Sequence, residues 1–170
     1  PRSALGKRQH VRRLLGEQRF LEAGDLLLEL GQEGAALDAY LQGKVHDRAA
    51  KLLERLGRQQ EAARSYELAR DFANAARLWL RQGQPAQAAR CQERIGKHSE
   101  AARLWTVAGE HLPAAEALLQ DGDLLEAARS FQRASEWKRA GEAYLQLLEA
   151  PPPREGEPAR PVRLDEQETR

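Results

Sequence analysis

Three stretches of the sequence share one pattern: GRQQEAARSYELA (57–69), GKHSEAARLWTVA (96–108) and GDLLEAARSFQRA (122–134). Each is a 13-residue unit that begins with glycine and carries an Ala-Ala pair at its sixth and seventh positions. The same 13-residue grid extends without insertion over residues 18–147, which makes ten consecutive units. A fixed period of this kind indicates an array of similar structural units that stack on one another.

The glycines show that each unit is a separate short helix. In one continuous helix, 13 residues at about 100° each leave roughly 220° beyond three full turns, so successive Ala pairs would share no face. Glycine just past a helix end is the usual left-handed cap, and proline is favoured in a first turn, where Pro85 stands. We therefore expect helices of about nine or ten residues that end at each unit boundary. The glycines that open units are Gly31, Gly57, Gly83, Gly96, Gly109 and Gly122.

The apolar positions of a unit are the third, sixth, seventh and tenth, which form one helical stripe. Helices this short are not stable alone in water, so packing against neighbours must hold them. Alanine at the sixth and seventh positions allows neighbouring helices to approach closely, and a bulky tenth residue fills the space beside them. The aromatic residues at the tenth position are Tyr40, Tyr66, Trp79, Trp105, Phe131 and Tyr144.

The ninth position alternates between large and small residues, which indicates a true repeat of two units. Leu26, Leu52, Leu78 and Leu104 form one series, which breaks at Ser130, and Ala39, Ser65, Cys91, Ala117 and Ala143 form the other. Two alternating helix environments are typical of hairpins stacked into two layers. The sequence therefore predicts an all-α fold, a right-handed α-solenoid of short antiparallel helix hairpins with a 26-residue repeat. Residues 1–17 are expected to form a capping helix, 18–147 five two-helix repeats, and 148–170 a disordered Pro-rich tail.

The stretch GKHSEAARLWTVAGEHLPAAEALL (96–119) resembles tetratricopeptide-type α-solenoids, and most closely the short-helix repeats of coat and intraflagellar-transport scaffold proteins. The resemblance covers about three quarters of the chain. It implies a scaffold that binds other proteins. The 26-residue period differs from the 34 residues of a standard tetratricopeptide repeat, so no groove residues are carried over.

Composition narrows the classes of function. The chain has 170 residues with 27 basic and 26 acidic side chains, and its lone cysteine, Cys91, cannot form an internal disulfide. No apolar run reaches the roughly 18 residues of a membrane helix, and no phosphate-binding loop, HExxH motif or Cys/His cluster occurs. We therefore expect a cytoplasmic, non-enzymatic protein with no cofactor, no bound metal and no membrane partner.

A ladder of basic residues occupies the eighth position of successive units: Lys51, Arg64, Arg77, Arg90, Arg103 and Arg129. Such a ladder could bind RNA, or its members could pair locally with Glu61, Glu100 and Glu126 at i,i+3 spacing. The array from 18 to 147 holds 18 basic and 19 acidic residues, and this balance disfavours a phosphate-binding face. Protein is the expected partner, with Arg64, Arg77, Arg90 and Arg103 as candidate contacts.

Three further residues are candidate partner contacts. Gln92 interrupts the bulky tenth-position series, while Trp137 and Tyr144 belong to the last helix, which has no evident capping helix after it. An uncapped end could also stack on another copy of the chain, so self-association is the alternative function.

Smaller features have plain interpretations beside functional ones. The aromatic series could line a groove but is more typical of a core. His46 and His98 occupy a position that also holds Phe20 and Phe72, which is typical of packing residues. Cys91 occupies a position that holds alanine or serine in other units, which is typical of a small buried residue. In the tail, Pro158, Pro161 and Arg163 match a P-x-x-P-x-R pattern that SH3 domains bind.

Overall fold

The computed structural model describes the backbone of residues 4–149 and the side chains of residues 5–149. Eleven α-helices and no strands make up the secondary structure of this part of the chain. They are α1 (Ala4–Gly16), α2 (Phe20–Glu29), α3 (Glu33–Gln42), α4 (His46–Arg55), α5 (Gln59–Leu68), α6 (Phe72–Arg81), α7 (Pro85–Arg94), α8 (His98–Val107), α9 (His111–Asp121), α10 (Leu124–Arg133) and α11 (Trp137–Glu149).

The helices form an all-α solenoid, which confirms the predicted fold class. Each helix packs against the next one in the chain, from α1 to α11. Side chains also connect alternate helices: Arg77 of α6 lies 2.9 Å from Glu54 of α4, and Arg139 of α11 lies 2.8 Å from Glu116 of α9. Within the described residues, no helix is both long and apolar enough to cross a membrane.

The Ala pairs lie where neighbouring helices meet. Both members of every pair from Ala49–Ala50 to Ala127–Ala128 are buried, most of them completely. The tenth-position residues fill the space beside the pairs, and Tyr40, Leu53 and Phe131 are among the largest fully buried side chains. Because alanine adds only one carbon beyond the backbone, close helix approach and a bulky neighbour can coexist at each crossing.

Every turn between helices uses the same hydrogen-bonding pattern. At the end of α2, Gly31 donates its backbone N–H to Leu28 and Gln32 donates to Leu27, each at 2.9 Å. This is a Schellman motif, in which a left-handed residue reverses the chain and satisfies the last free carbonyls of the helix. Gln32 is also the N-cap residue of α3, so one helix begins as soon as the previous one has been closed.

The left-handed position of this turn falls on the 13-residue grid in all ten units. Six units place glycine there, with φ between 66° and 83°, as the sequence predicts. The other four units place a non-glycine residue in the same conformation, with φ between 54° and 61°. These residues are Gln18, Lys44, Arg70 and Ser135. The hydrogen bonds of the turn therefore override the steric preference for glycine at four places.

We expect Lys44→Gly to raise the free energy of unfolding by about 0.5–1 kcal/mol, because it relieves a left-handed side chain while making the unfolded chain somewhat freer. Gly57→Ala, at the equivalent position of the next unit, is the matched control and should lower it by about 1 kcal/mol. Urea unfolding of the two variants measures both effects. A loss of stability in Lys44→Gly together with a gain in Gly57→Ala would contradict the left-handed conformation of the turn.

The two ends depart from the regular units. Helix α1 has 13 residues and buries Val11 and Leu14 against the array, while Leu5 is exposed. Helix α11 also has 13 residues, and its last turn includes Leu148 and Glu149. The sequence assigns these two residues to the tail, so the helix runs two residues further than the predicted boundary. The remainder of the tail lies outside the described residues.

Candidate interaction surfaces

The basic ladder does not form a uniform strip of free positive charge. Arg77 is half-buried and donates to Glu54, and Arg129 donates to Glu126 at 2.6 Å. The Arg90 guanidinium lies 5.8 Å from the ring centroid of Trp105. Arg64 and Arg103 are exposed and make no ion pair within the described part of the chain. Arg90 is exposed as well and forms no ion pair within the described residues, so of the four candidate arginines an ion pair holds Arg77 alone.

Two of the three predicted local ion pairs are wrong. Glu126 pairs with Arg129 as expected, but Glu61 pairs with Arg58 at 2.6 Å and Glu100 pairs with Lys97 at 3.8 Å. Arg58 and Lys97 are N-cap residues, so their side chains lie three residues before the acid instead of three after it. The fork of Arg58 contacts both oxygens of Glu61 and lowers the pKa of that carboxyl group.

The aromatic series belongs to the core, with one exception. Tyr40, Tyr66, Trp79, Trp105 and Phe131 are all buried, whereas Tyr144 on α11 is half-buried. A groove lined by the whole series is therefore excluded. Tyr144 donates its hydroxyl to Gln132 at 3.2 Å, and its exposure follows from its place on the last helix.

A hydrogen-bond rule links the tenth position of one unit to the eleventh position of the unit before it. Tyr66 donates to Glu54 at 3.1 Å, and Trp105 donates to Glu93 at 2.8 Å. Trp79 donates to Glu67 in the same way. Each buried ring thus satisfies its one polar hydrogen on a side chain 12 residues earlier.

The sequence carries this rule, and sequence reasoning missed it. Where the tenth residue has no ring donor, as at Leu53 or Phe131, the residue 12 positions earlier is Leu41 or Leu119. The exception is Tyr40, whose acceptor position holds Leu28. Its hydroxyl donates instead to Asp25, at 2.6 Å. An acidic residue or glutamine 12 residues before a tyrosine or tryptophan was the signal that could have identified the pairs.

Burial and the bond to Glu54 raise the pKa of Tyr66 to about 12. The native state therefore binds this proton more tightly than the unfolded state, so the stabilisation is complete below about pH 10 and is lost as the pH rises to about 12. We expect the Tyr66→Phe variant to lose less stability than the parent between about pH 10 and pH 12. Urea unfolding at each pH measures this difference, and identical slopes for the two proteins would contradict it.

Cys91 is a buried packing residue. Its thiol is 3.7 Å from Glu67, and burial, followed by the charge of that carboxylate, raises the pKa of the thiol to about 12. A protonated, inaccessible thiol is a poor nucleophile. His46 and His98 each begin a helix and are half-buried, as are Phe20 and Phe72 at the same position. Within the described residues, no three His, Cys, Asp or Glu side chains are grouped to hold a metal ion.

Gln92 and a nearby groove lie in the second half of the array. Gln92 is half-buried, and its buried side-chain oxygen has no hydrogen-bond partner among the described residues. The groove, of about 410 Å³, lies between α7, α9 and α11, and its charged lining includes Glu93, Glu116 and Arg139. Glu93 accepts a hydrogen bond from Trp105, and Glu116 accepts one from Arg139, so these charged side chains connect helices of the array.

Among the described residues, α11 carries three large apolar side chains that are more than half exposed, which is more than any other helix. Trp137 is 68% exposed, Leu145 58% and Leu148 81%. Gly141, which has no described atom within 4 Å of the place a Cβ would occupy, joins them at helical spacing along one side. We call this set of four residues the terminal face. In earlier units the seventh position, which Gly141 occupies here, is buried by the next helix.

The SH3-type pattern at Pro158, Pro161 and Arg163 lies outside the described residues and stays a prediction. No protein-family model matches the chain, and comparison with curated proteins finds no match. The resemblance to tetratricopeptide-type solenoids therefore rests on the array of short helices itself.

Proposed function

We propose that the chain is a non-enzymatic scaffold that binds another protein, and that the terminal face on α11 is its principal contact surface. Helical-repeat arrays present extended surfaces whose backbone is held by packing between neighbours, and this suits them to binding. The observation that carries the proposal is the exposure of Trp137, Leu145 and Leu148 on a helix that otherwise repeats the pattern of the buried ones. Exposed apolar surface of this kind marks interaction sites.

The arginine ladder is proposed as a secondary contact. Arg64 and Arg103 are exposed and unpaired within the described region, and both lie at the eighth position of their units. Charged residues at the rim of an interface steer association and contribute less affinity than a buried aromatic anchor such as Trp137.

Capture from lysate of the source organism tests the proposal. The chain of residues 1–170 and its Trp137→Ser/Leu145→Ser variant are immobilised side by side and eluted at low and high salt. We expect a protein that stays on the parent through high salt and is absent from the variant. Equal retention on both proteins would place the contact elsewhere. Nucleic acid released at high salt would instead favour the ladder as an RNA-binding surface.

Self-association is the second candidate, because the same terminal face would also be covered in a dimer or a stack. Sedimentation of the purified chain over a hundredfold range of concentration separates the two functions. A mass that stays at 19.1 kDa favours a different protein as the partner. A mass that rises with concentration, and that the double serine variant abolishes, favours self-assembly.

A further inference from the structure

Helix α11 repeats the sequence of α2 at the positions that contact a following helix. Glycine stands at the seventh position in only two of the ten units, as Gly24 on α2 and Gly141 on α11, and an acidic residue follows each of them. The two units also share an aromatic residue at the third position and leucine at the eleventh. The paired residues are Phe20 and Trp137, Asp25 and Glu142, and Leu28 and Leu145.

On α2 these residues form an occupied notch for a tyrosine. A Cβ added at Gly24 would lie 2.3 Å from Cε1 of Tyr40, so the ring of Tyr40 rests directly on the glycine backbone. The hydroxyl of the same tyrosine donates to Asp25 at 2.6 Å. The usual acceptor position holds Leu28, which has no side-chain oxygen. The hydroxyl of Tyr40 therefore bonds to Asp25, at the eighth position of the unit.

Phe20, the first residue of α2, completes the notch. A Cβ added at Gly43 would lie 2.3 Å from the Cβ of Phe20, so the C-terminal end of α3 must be small where it crosses the first turn of α2. The helix that fills the notch thus carries Ala36, Ala39, Tyr40 and Gly43, in the pattern A-x-x-A-Y-x-x-G.

Among the described residues, nothing fills the equivalent notch on α11. Gly141 is exposed with free space above it, and Trp137 is 68% exposed. Glu142 is exposed as well. It occupies on α11 the position that Asp25, the acceptor for Tyr40, occupies on α2. Residues 150–170 contain no aromatic residue and begin with three prolines after Ala150, so this segment cannot supply the ring.

We propose that α11 is a docking site for a helix of a partner protein that carries a tyrosine in the pattern A-x-x-A-Y-x-x-G. The tyrosine ring lies on Gly141, its hydroxyl donates to Glu142, and Trp137 covers the small residue three positions later. The docked helix continues the interface that repeats from α1 to α11. This inference rests on the proposed binding function and specifies the partner's chemistry.

A helical peptide with the sequence of residues 31–43 is the direct probe. A staple between positions 38 and 42, which are both exposed on α3, keeps the peptide helical without touching the face that binds. Tryptophan emission of the full chain reports binding, because Trp79 and Trp105 are buried and Trp137 is not. We expect a saturable blue shift as the peptide covers Trp137.

Matched variants distinguish specific binding in the notch from nonspecific apolar binding. In the peptide, Tyr40→Phe should weaken binding roughly 2–10-fold by removing one hydrogen bond, and Gly43→Val should abolish it by clashing with Trp137. In the chain, Gly141→Leu should abolish binding by filling the notch. Gly34→Leu, at another helical glycine with open space above it, is the control and should leave binding unchanged.

Three results would overturn the inference: no saturable shift, equal binding to the Gly141→Leu chain, or equal binding by a Tyr40→Ala peptide. Failure here is distinguishable from failure of the scaffold proposal. If a protein is captured from lysate through Trp137 and Leu145 but the peptide does not bind, the scaffold proposal stands and the tyrosine helix is rejected as the ligand.

Discussion

Phe131→Ala is expected to lower the free energy of unfolding by about 3–5 kcal/mol. The ring is completely buried among Ala115, Ala128 and Ala140, which are too small to close the cavity that its removal leaves. The Arg139 guanidinium lies 4.4 Å from the ring centroid and would lose this contact as well. Urea unfolding followed by circular dichroism measures the change.

Trp137→Ala is the matched control for this substitution, because it removes a larger side chain that is mostly exposed. We expect it to change the stability by no more than about 0.5 kcal/mol. A Phe131→Ala protein as stable as the Trp137→Ala protein would show that α10 and α11 do not pack around this ring.

Ala63→Leu should destabilise the array by about 1–3 kcal/mol because it inserts a bulky side chain at a helix crossing. Ala63 has no exposed surface, and it lies in the same buried cluster as Tyr66, Ala75 and Ala76. Relief requires α5 and α6 to move apart, which would also strain the bond from Trp79 to Glu67. The melting temperature and the urea midpoint should both fall.

The control for overpacking is Ala73→Leu, at an exposed alanine of α6, the helix that packs next to α5. This variant adds the same atoms on the outside of the array and should unfold within about 0.5 kcal/mol of the parent. If Ala63→Leu also has the melting temperature of the parent, the Ala pairs do not lie at the helix crossings.

The fold could be predicted because its determinants are local and repeat every 13 residues. Glycine at position 57, for example, signals both the end of one helix and the start of the next, and Ala62–Ala63 mark the buried stripe. Lys44 and Arg70 could not be recognised as left-handed residues from their own chemistry. Only their position on the grid, which the turn hydrogen bonds enforce, places them in that conformation.

The surface was less predictable because side chains can reach several partners. Spacing alone pairs Glu61 with Arg64, but the structure shows that Arg58 at the N-cap reaches the same carboxylate. The bonds of Tyr66 to Glu54 and Trp105 to Glu93 depend on how two helices cross, which the composition of either helix does not show. The open notch at Gly141 could be recognised only once Tyr40 was seen on Gly24.

We infer that two helices form one repeat of a two-layer array. Deletion of residues 70–95 removes α6 and α7 and joins Ala69 to Gly96. In the shortened chain Trp105 would meet Glu67, and Arg103 would take the place of Arg77 beside Glu54. Each buried donor therefore keeps an acceptor. We expect this chain to fold with a cooperative transition.

Deletion of residues 70–82 removes α6 alone and moves every later helix to the opposite layer. Leu104 would then take a position that Ser65 and Cys91 occupy in the parent, and these are buried sites shaped for small side chains. The most direct test is urea unfolding of the two deletion variants beside the parent. We expect a cooperative transition for the 26-residue deletion and its loss for the 13-residue deletion. Equal folding of both variants would contradict the two-helix repeat.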